Sequence, residues 1–245
     1  MGLKLPSIRL LAAAGVHCFT AAGGVLGLFA LLAAAQSNWT AAFAWLGAAL
    51  IVDGADGPLA RFFEVKKVLP RFSGEDLDHV IDYLTYVTVP AFIVARSTVV
   101  PAGLRLPLAA AIMMVSLYHF SDTNSKTDEG YFVGFPAIWN VAVLYLFVLD
   151  IPAVPAAALV SACAFLTFIP LRWLHPLRVR RLRPVTILMV AAWAVTSALA
   201  LYHGFPGSPW ERIIYVIAAA YFVAFCIGPS ARRLLPRRGP ESSAS

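Results

Sequence analysis

The hydrophobic pattern of this chain consists of long apolar runs separated by short polar segments. Eight runs have about the 20 residues that an α-helix needs to cross the hydrocarbon core of a bilayer. They are Leu10 to Ala35, Trp39 to Phe63, Gly74 to Ala95, Leu104 to Phe120, Phe132 to Leu149, Pro152 to Leu171, Pro184 to Tyr202 and Trp210 to Ile227. The pattern predicts an all-α, polytopic integral membrane protein with about eight transmembrane helices.

Basic residues lie between these runs and predict the orientation of the chain in the membrane. With both termini in the cytoplasm, 16 of the 19 Lys and Arg residues fall on the cytoplasmic side, as the positive-inside rule requires. The formal net charge of +6 therefore reflects membrane insertion, and we expect no nucleic acid as a partner. Membrane lipids are expected partners, with anionic headgroups near the basic 172–183 loop.

The same pattern predicts the domain organisation. Residues 1–231 are predicted to form a single transmembrane domain, and residues 232–245 a tail. Because the tail is basic and then rich in serine, we expect it to be disordered and cytoplasmic.

Four aspartates lie at the ends of the second and third predicted helices. Asp53 and Asp56 end the second helix, and Asp78 and Asp82 begin the third. An ionised Asp at the centre of a bilayer costs about 2.5 to 3.5 kcal/mol on insertion scales. These carboxylates therefore need a compensating partner, for which a divalent cation is the obvious candidate.

Helix geometry predicts that the four carboxylates meet. At about 100 degrees per residue, each pair of aspartates shares a helix face with small residues. The two faces contain Asp53, Asp56, Gly57 and Ala60, with Arg61 at the margin, and Gly74, Asp78 and Asp82. If the helices are neighbours, the carboxylates converge at the cytoplasmic face with space beside them. Carboxylate oxygens favour Mg²⁺ or Mn²⁺, and paired ions are a common device of phosphoryl transfer.

These positions resemble the signature of the CDP-alcohol phosphatidyltransferases, membrane enzymes of phospholipid synthesis. Eight positions match in the pattern Asp53-x-x-Asp56-Gly57-x-x-Ala60-Arg61 and Gly74-x-x-x-Asp78-x-x-x-Asp82. One departure is the spacer from Phe62 to Ser73, whose twelve residues make it longer than is usual in the family. This spacer, the segment from Asp82 to Val87 and the segment from Tyr118 to Asn140 are similar to the bacterial phosphatidylcholine synthase branch.

The resemblance implies the six-helix core of this family and an enzyme that transfers a phosphatidyl group from CDP-diacylglycerol to an alcohol, releasing CMP. It also implies a place in the bacterial inner membrane, and a homodimer is a further expectation. Asp53, Asp56, Asp78 and Asp82 would hold two Mn²⁺ or Mg²⁺ ions, and Asp82 would also act as general base. The implied nucleotide-binding residues are Gly57, Ala60, Arg61 and Gly74.

The first helix of this family lies beside the nucleotide, and it often carries a polar residue three positions before a threonine. His17-x-x-Thr20 resembles that pattern, so both residues are candidates for nucleotide binding. The glycines that follow, Gly23, Gly24 and Gly27, favour close packing between helices instead.

The resemblance favours choline as the acceptor alcohol. A quaternary ammonium has no N–H donor, so it is bound by aromatic faces and nearby carboxylates. Candidate choline-binding residues are Tyr83, Tyr86, Tyr118, Asp122, Glu129 and Trp139. Aromatic residues also gather at membrane interfaces for structural reasons, and that interpretation stays open for each of them.

Two alternatives to choline transfer stay open. The same chemistry could use serine, inositol phosphate or glycerol 3-phosphate, although a phosphorylated acceptor calls for basic residues beside the general base. A carrier of choline or divalent cations could also place carboxylates near membrane helices. A carrier needs its site near the bilayer midplane, whereas the predicted cluster lies at one end of the helices.

Overall fold

The structure is a computed structural model that describes residues 7–122, 131–174 and 183–234. Helices make up most of it, because the long apolar runs satisfy their backbone hydrogen bonds internally. The α-helices are α1 Ile8–Ala35, α2 Trp39–Phe62, α3 Val65–Val68, α4 Gly74–Asp82, α5 Val89–Arg96, α6 Arg105–Ser121, α7 Trp139–Leu149, α8 Ala153–Leu166, α9 Arg183–His203 and α10 Pro209–Leu234. A π-helical segment, Tyr83–Thr88, joins α4 to α5, and a 3₁₀ turn, Ala102–Leu104, precedes α6. Two three-residue strands complete the described elements, β1 Tyr131–Val133 and β2 Arg172–Leu174.

The predicted class of a polytopic helical membrane protein is confirmed. Among the described residues, four helical stretches are long and apolar enough to cross a membrane, namely Ile8–Ala35, Gly74–Arg96, Ala102–Ser121 and Arg183–His203. Large apolar side chains such as Leu32, Met114 and Leu188 point outward, where lipid would solvate them. Helix α10 runs to Leu234, and the rest of the predicted tail, 235–245, lies outside the described residues.

Two of the eight predicted spans contain shorter helices than expected. Helices α7 and α8 have 11 and 14 residues, which correspond to about 16 and 21 Å of helix. The fifth span starts at Trp139 rather than Phe132, since Gly134 and Ala137 have positive φ values of 78° and 54°. The sixth ends at Leu166 rather than Leu171, ahead of Pro170, which disfavours helical backbone in the residue before it.

A short β-ribbon joins the segment before α7 to the segment after α8. Strand β1 pairs antiparallel with β2, and the Gly134 N–H donates to the Leu171 carbonyl at 2.9 Å. A Cβ at Gly134 would lie 2.3 Å from the Thr167 carbonyl oxygen. Glycine is therefore required at this position for its positive φ and for the close backbone approach.

Helix α1 packs closely against the α4–π unit, and its glycines make this possible. A Cβ at Gly23 would lie 2.9 Å from Ile81 Cγ2, and one at Gly27 would lie 2.9 Å from Leu84 Cδ2. Small residues let membrane helices approach each other in this way. The predicted packing role of these glycines is confirmed, and it holds α1 beside the helix that carries Asp78 and Asp82.

Candidate active site

Three of the four predicted aspartates form one close group. Asp53 lies in the second half of α2, whereas Asp78 and Asp82 lie on successive turns of α4. One carboxylate oxygen from each lies within 4.8 Å of the other two, and all three residues are half-buried. The convergence predicted from the two helix faces is therefore present for this trio.

Asp56 lies beside this group rather than within it. Its side chain is buried, at 8% exposure, and it neighbours the Thr20 side chain of α1. Both residues line a small cavity together with Asp53, Asp78 and Gly23. The cavity volume is about 10 Å³, room for about one water-sized group. A metal ion fits such a space, whereas a nucleotide would have to lie at its mouth.

The ligand atoms of this group suit a hard divalent cation. Three ionised carboxylates at this distance repel one another, and the repulsion grows as the surroundings become less polar. A cation between them removes the repulsion, and carboxylate oxygens are preferred ligands of Mg²⁺ and Mn²⁺. The acidic group formed by Asp53, Asp78 and Asp82 can therefore bind a metal ion.

Helix α4 begins with a defined cap that fixes the start of its acidic face. The Asp76 N–H donates to Ser73 Oγ at 3.1 Å, which satisfies one of the free donors of the first turn. Asp76 itself is exposed. The cap therefore fixes the residue at which α4 begins. The helical period then determines the direction of the Asp78 and Asp82 side chains.

A π-helical turn follows Asp82 directly, and sequence analysis missed it. Pro90 has no N–H to donate to the Tyr86 carbonyl, which an α-helix would require. The chain widens instead, with the Val89 N–H donating to the Leu84 carbonyl. The Thr88 hydroxyl donates to the Tyr83 carbonyl at 3.2 Å. Such turns occur often at functional sites, and Pro90 was the signal in the sequence that could have located this one.

The π turn places Tyr86 at the carboxylate group. Its hydroxyl donates to Asp53 Oδ2 at 2.5 Å. Asp53, Asp78 and Asp82 all lie close enough for their charges to act on this hydroxyl. Sequence analysis proposed Tyr86 for choline binding and gave it no contact with the predicted metal ligands.

Of the predicted nucleotide-binding residues, Gly57, Ala60 and Arg61 follow Asp53 and Asp56 in α2, and Gly74 is the first residue of α4. The Arg61 guanidinium lies close to Gly57, since Arg61 Nη1 is 3.4 Å from the position that a Cβ at Gly57 would take. Arg61 itself is exposed. Ala60 packs instead near Ala13 and Val16 of α1.

His17 and Gly74 face each other across the α1–α4 contact. A Cβ at Gly74 would lie 3.3 Å from His17 Cε1. His17 Nε2 is buried and has no hydrogen-bond partner within the part of the chain that the structure describes. A buried ring nitrogen of this kind is available to a bound polar ligand.

Comparison with known proteins decides the family. No family model matches the chain. The phosphatidylcholine synthase of Agrobacterium fabrum is 43% identical over 213 residues, covering 87% of this chain and 88% of the relative. That of Pseudomonas aeruginosa is 42% identical over 232 residues, covering 95% and 98%. That of Mesorhizobium japonicum is 46% identical over 198 residues, covering 81% and 74%.

The chain belongs to the phosphatidylcholine synthase family. The resemblance of the eight motif positions to the CDP-alcohol phosphatidyltransferases is thereby confirmed. The assignment to the phosphatidylcholine synthase branch, made from the spacer and two later segments, is confirmed as well. The aligned relatives extend over most of the chain, so the similarity includes the later helices as well as the carboxylate motif.

The candidate choline-binding residues of this phosphatidylcholine synthase family member lie in different parts of the structure. Trp139 is fully buried, and its Nε1–H donates to Ser116 Oγ at 2.8 Å. The Tyr83 hydroxyl donates to the Met113 carbonyl at 3.0 Å. Trp139 therefore packs in the core, and Tyr83 faces α6.

The remaining candidates are also spread over the molecule. Tyr118 is 59% exposed and packs against Phe168 with ring centroids 5.0 Å apart. Asp122 follows the last residue of α6, and Glu129 lies outside the described residues. The structure brings Tyr86 to the carboxylates, whereas Tyr83 faces α6, Tyr118 is exposed and Trp139 is buried in the core. A choline site built from all six residues stays a prediction.

Proposed function

We propose that this protein is a membrane enzyme that transfers the phosphatidyl group of CDP-diacylglycerol to the hydroxyl of choline and releases CMP. The observation that carries the proposal is the trio Asp53, Asp78 and Asp82, with ligand atoms within 4.8 Å of one another. The choice of choline rests on relatives named phosphatidylcholine synthase, such as those 42–43% identical over most of the chain.

We assign Asp53, Asp56, Asp78 and Asp82 as ligands of two Mn²⁺ or Mg²⁺ ions. The trio supplies three carboxylates, and Asp56 lines the same cavity as Asp53 and Asp78. Bound divalent ions would neutralise the negative charge of the pyrophosphate and of the departing CMP.

Asp82 is proposed as the general base. The choline oxygen forms a bond to the phosphorus of the phosphatidyl group, and the bond from that phosphorus to the CMP oxygen breaks. The proton of the choline hydroxyl passes to the Asp82 carboxylate, which has to be ionised and within hydrogen-bond reach. Its half-buried place at the end of α4, within the trio, supports this role.

The nucleotide is proposed to lie at the mouth of the small cavity. Arg61 is exposed and can pair with a phosphate, for which its planar guanidinium is well suited. His17 offers a buried ring nitrogen, and Gly57 and Gly74 make room for the Arg61 and His17 side chains. Thr20 lines the cavity beside Asp56.

We further propose that the protein lies in the bacterial inner membrane with both termini and the active site at the cytoplasmic face. The segment between α2 and α4 carries Lys66, Lys67 and Arg71 and joins the two helices that supply the carboxylates. Basic loops stay preferentially in the cytoplasm. This orientation gives water-soluble choline and CMP direct access to the site.

The test is an assay of membranes containing the protein, with CDP-diacylglycerol, labelled choline and Mn²⁺. We expect labelled lipid and CMP, and we expect EDTA to abolish both. Asp82→Asn keeps the size of the side chain and removes the base, which should lower kcat by about 10² to 10⁴-fold. Asp76→Asn is the matched control, since Asp76 is exposed on the same helix, and it should leave the rate unchanged.

Each of the other results would count against a specific part of the proposal. Labelled lipid formed in EDTA, or formed at the normal rate by Asp82→Asn, would remove the mechanism. Product with serine, inositol phosphate or glycerol 3-phosphate but not with choline would change the acceptor. Choline uptake into sealed vesicles without lipid product would indicate a carrier.

A further inference from the structure

The hydrogen bond between Tyr86 and Asp53 connects the π turn to the carboxylate trio. A phenol that donates to a carboxylate oxygen makes a charge-assisted hydrogen bond, which is stronger than one between neutral groups. Here the hydroxyl donates to Asp53 Oδ2 at 2.5 Å, and Tyr86 is half-buried. The bond restricts how the Asp53 carboxylate can rotate.

The π turn explains how Tyr86 reaches that position. In a regular α-helix each step of four residues advances about 40 degrees beyond a full turn. Tyr86 would then lie about 80 degrees around the helix from Asp78. A π turn contains more residues, so Tyr86 returns toward the line of Asp78 and Asp82. The segment Tyr83–Thr88 therefore brings a third side chain onto the acidic face of the helix.

We propose that Tyr86 is a positioning residue that holds the Asp53 carboxylate in the orientation in which the three carboxylates of the metal site converge. The inference rests on the metal site of the proposed function. Tyr86 acts through Asp53 and is not itself a ligand, because its hydroxyl hydrogen lies toward the carboxylate. Removal of a group that orients a metal ligand in this way typically lowers metal affinity by about 10 to 100-fold.

This role differs in a measurable way from a role in choline binding. A choline-binding tyrosine contributes its ring face, whereas the positioning role depends on the hydroxyl donor. Tyr86→Phe keeps the ring and removes the donor, and Tyr86→Gln supplies donors without a ring. If Tyr86 has the positioning role, Tyr86→Phe should therefore weaken metal binding more than Tyr86→Gln does. If Tyr86 binds choline, Tyr86→Gln should weaken choline binding more than Tyr86→Phe does.

The experiment measures Mn²⁺ binding to the purified protein in detergent, by electron paramagnetic resonance of the free ion, without turnover. We expect Tyr86→Phe to weaken Mn²⁺ binding by about tenfold or more and Tyr86→Gln to restore part of the affinity. At saturating Mn²⁺, the choline KM of Tyr86→Phe should equal that of the wild type. Tyr215→Phe is the matched control, since it removes a buried hydroxyl bonded to Ser197 at 2.6 Å and should bind Mn²⁺ normally.

Three results would overturn the inference, and they separate it from the proposed function. Normal Mn²⁺ binding by Tyr86→Phe would show that the hydroxyl does not position Asp53. A raised choline KM in Tyr86→Gln with normal Mn²⁺ binding in both variants would place Tyr86 in the choline site. Absence of Mn²⁺ binding in the wild type would remove the metal site itself. If Tyr86→Phe does not fold, loss of affinity in Tyr86→Leu together with its recovery in Tyr86→Gln provides the same test.

Discussion

Adding one methyl group at Gly23 of α1 should disturb the active site, whose carboxylates lie on the neighbouring helices α2 and α4. A Cβ at this position would lie 2.9 Å from Ile81 Cγ2 and 3.9 Å from Val52 Cγ1. Ile81 precedes Asp82, and Val52 precedes Asp53. The methyl group of Gly23→Ala would therefore press on the helix segment that carries Asp82 and would contact the side chain next to Asp53.

The size of the effect follows from the geometry. To reach an ordinary contact of 3.4 Å, Ile81 Cγ2 has to move by about 0.5 Å, and β-branched side chains are stiff at χ1. Overpacking of this kind costs about 1 to 3 kcal/mol, while Ala gains about 0.5 to 1 kcal/mol over Gly in a helix. We expect a net loss of about 0 to 2.5 kcal/mol of stability. A displacement of 1 Å can cost about 10²-fold in rate, so kcat should fall by about tenfold.

The neighbouring glycine gives a matched control. A Cβ at Gly24 would lie 4.0 Å from Ile81 Cγ1, an ordinary contact, so Gly24→Ala should keep its activity and lose no stability. The measurements are the choline transfer rate at saturating substrates and Mn²⁺, and the melting temperature of each variant in detergent. Equal rates for Gly23→Ala and Gly24→Ala would refute the argument that α1 packing sets the geometry of the trio.

Two further predictions concern the core and the β-ribbon. Trp139→Phe removes the hydrogen bond to Ser116 from a fully buried position. The free energy of unfolding should fall by about 1 to 3 kcal/mol, while the choline KM stays unchanged. A raised KM would instead support a role for Trp139 in choline binding. Gly134→Ala combines a φ of 78° with a Cβ only 2.3 Å from the Thr167 carbonyl oxygen, and should lower the melting temperature much more than Gly204→Ala. Gly204 has a φ of 87° with no atom within 4 Å of its Cβ, so its substitution measures backbone strain alone, about 1 to 2 kcal/mol; equal losses for the two variants would show that the close contact at Gly134 is unimportant.

The carboxylate trio could be predicted because its determinants are local. The spacing of Asp78 and Asp82 places them on one helix face at any location in the fold. The basic residues between α2 and α4 predict that this end of the helices lies at the cytoplasmic side. The additional step, that α2 and α4 are neighbours, follows from their succession in the chain, because consecutive helices usually lie side by side. Asp56 shows the limit of such reasoning, since it lines the same cavity but lies outside the close trio.

The aromatic candidates for choline binding could not be sorted in this way. Tyr86 and Trp139 both looked suitable by residue type, yet one contacts Asp53 and the other is buried in the core. Aromatic side chains serve membrane interfaces, cores and ligand sites equally well. Their role depends on which surfaces are covered by neighbouring helices, and composition does not contain that information.

The sequence by itself determined the helical membrane architecture, the family signature and the acidic face of α4, since hydrophobicity and helical period act over a few turns of one segment. Tertiary structure decided how closely α1 approaches Ile81, where the shortened α7 begins and which side chain contacts Asp53. These features depend on side-chain contacts between segments distant in the chain, and in the case of Tyr86 on a widened turn at Pro90. The helical period of one segment encodes neither the contacts between distant segments nor the widened turn at Pro90.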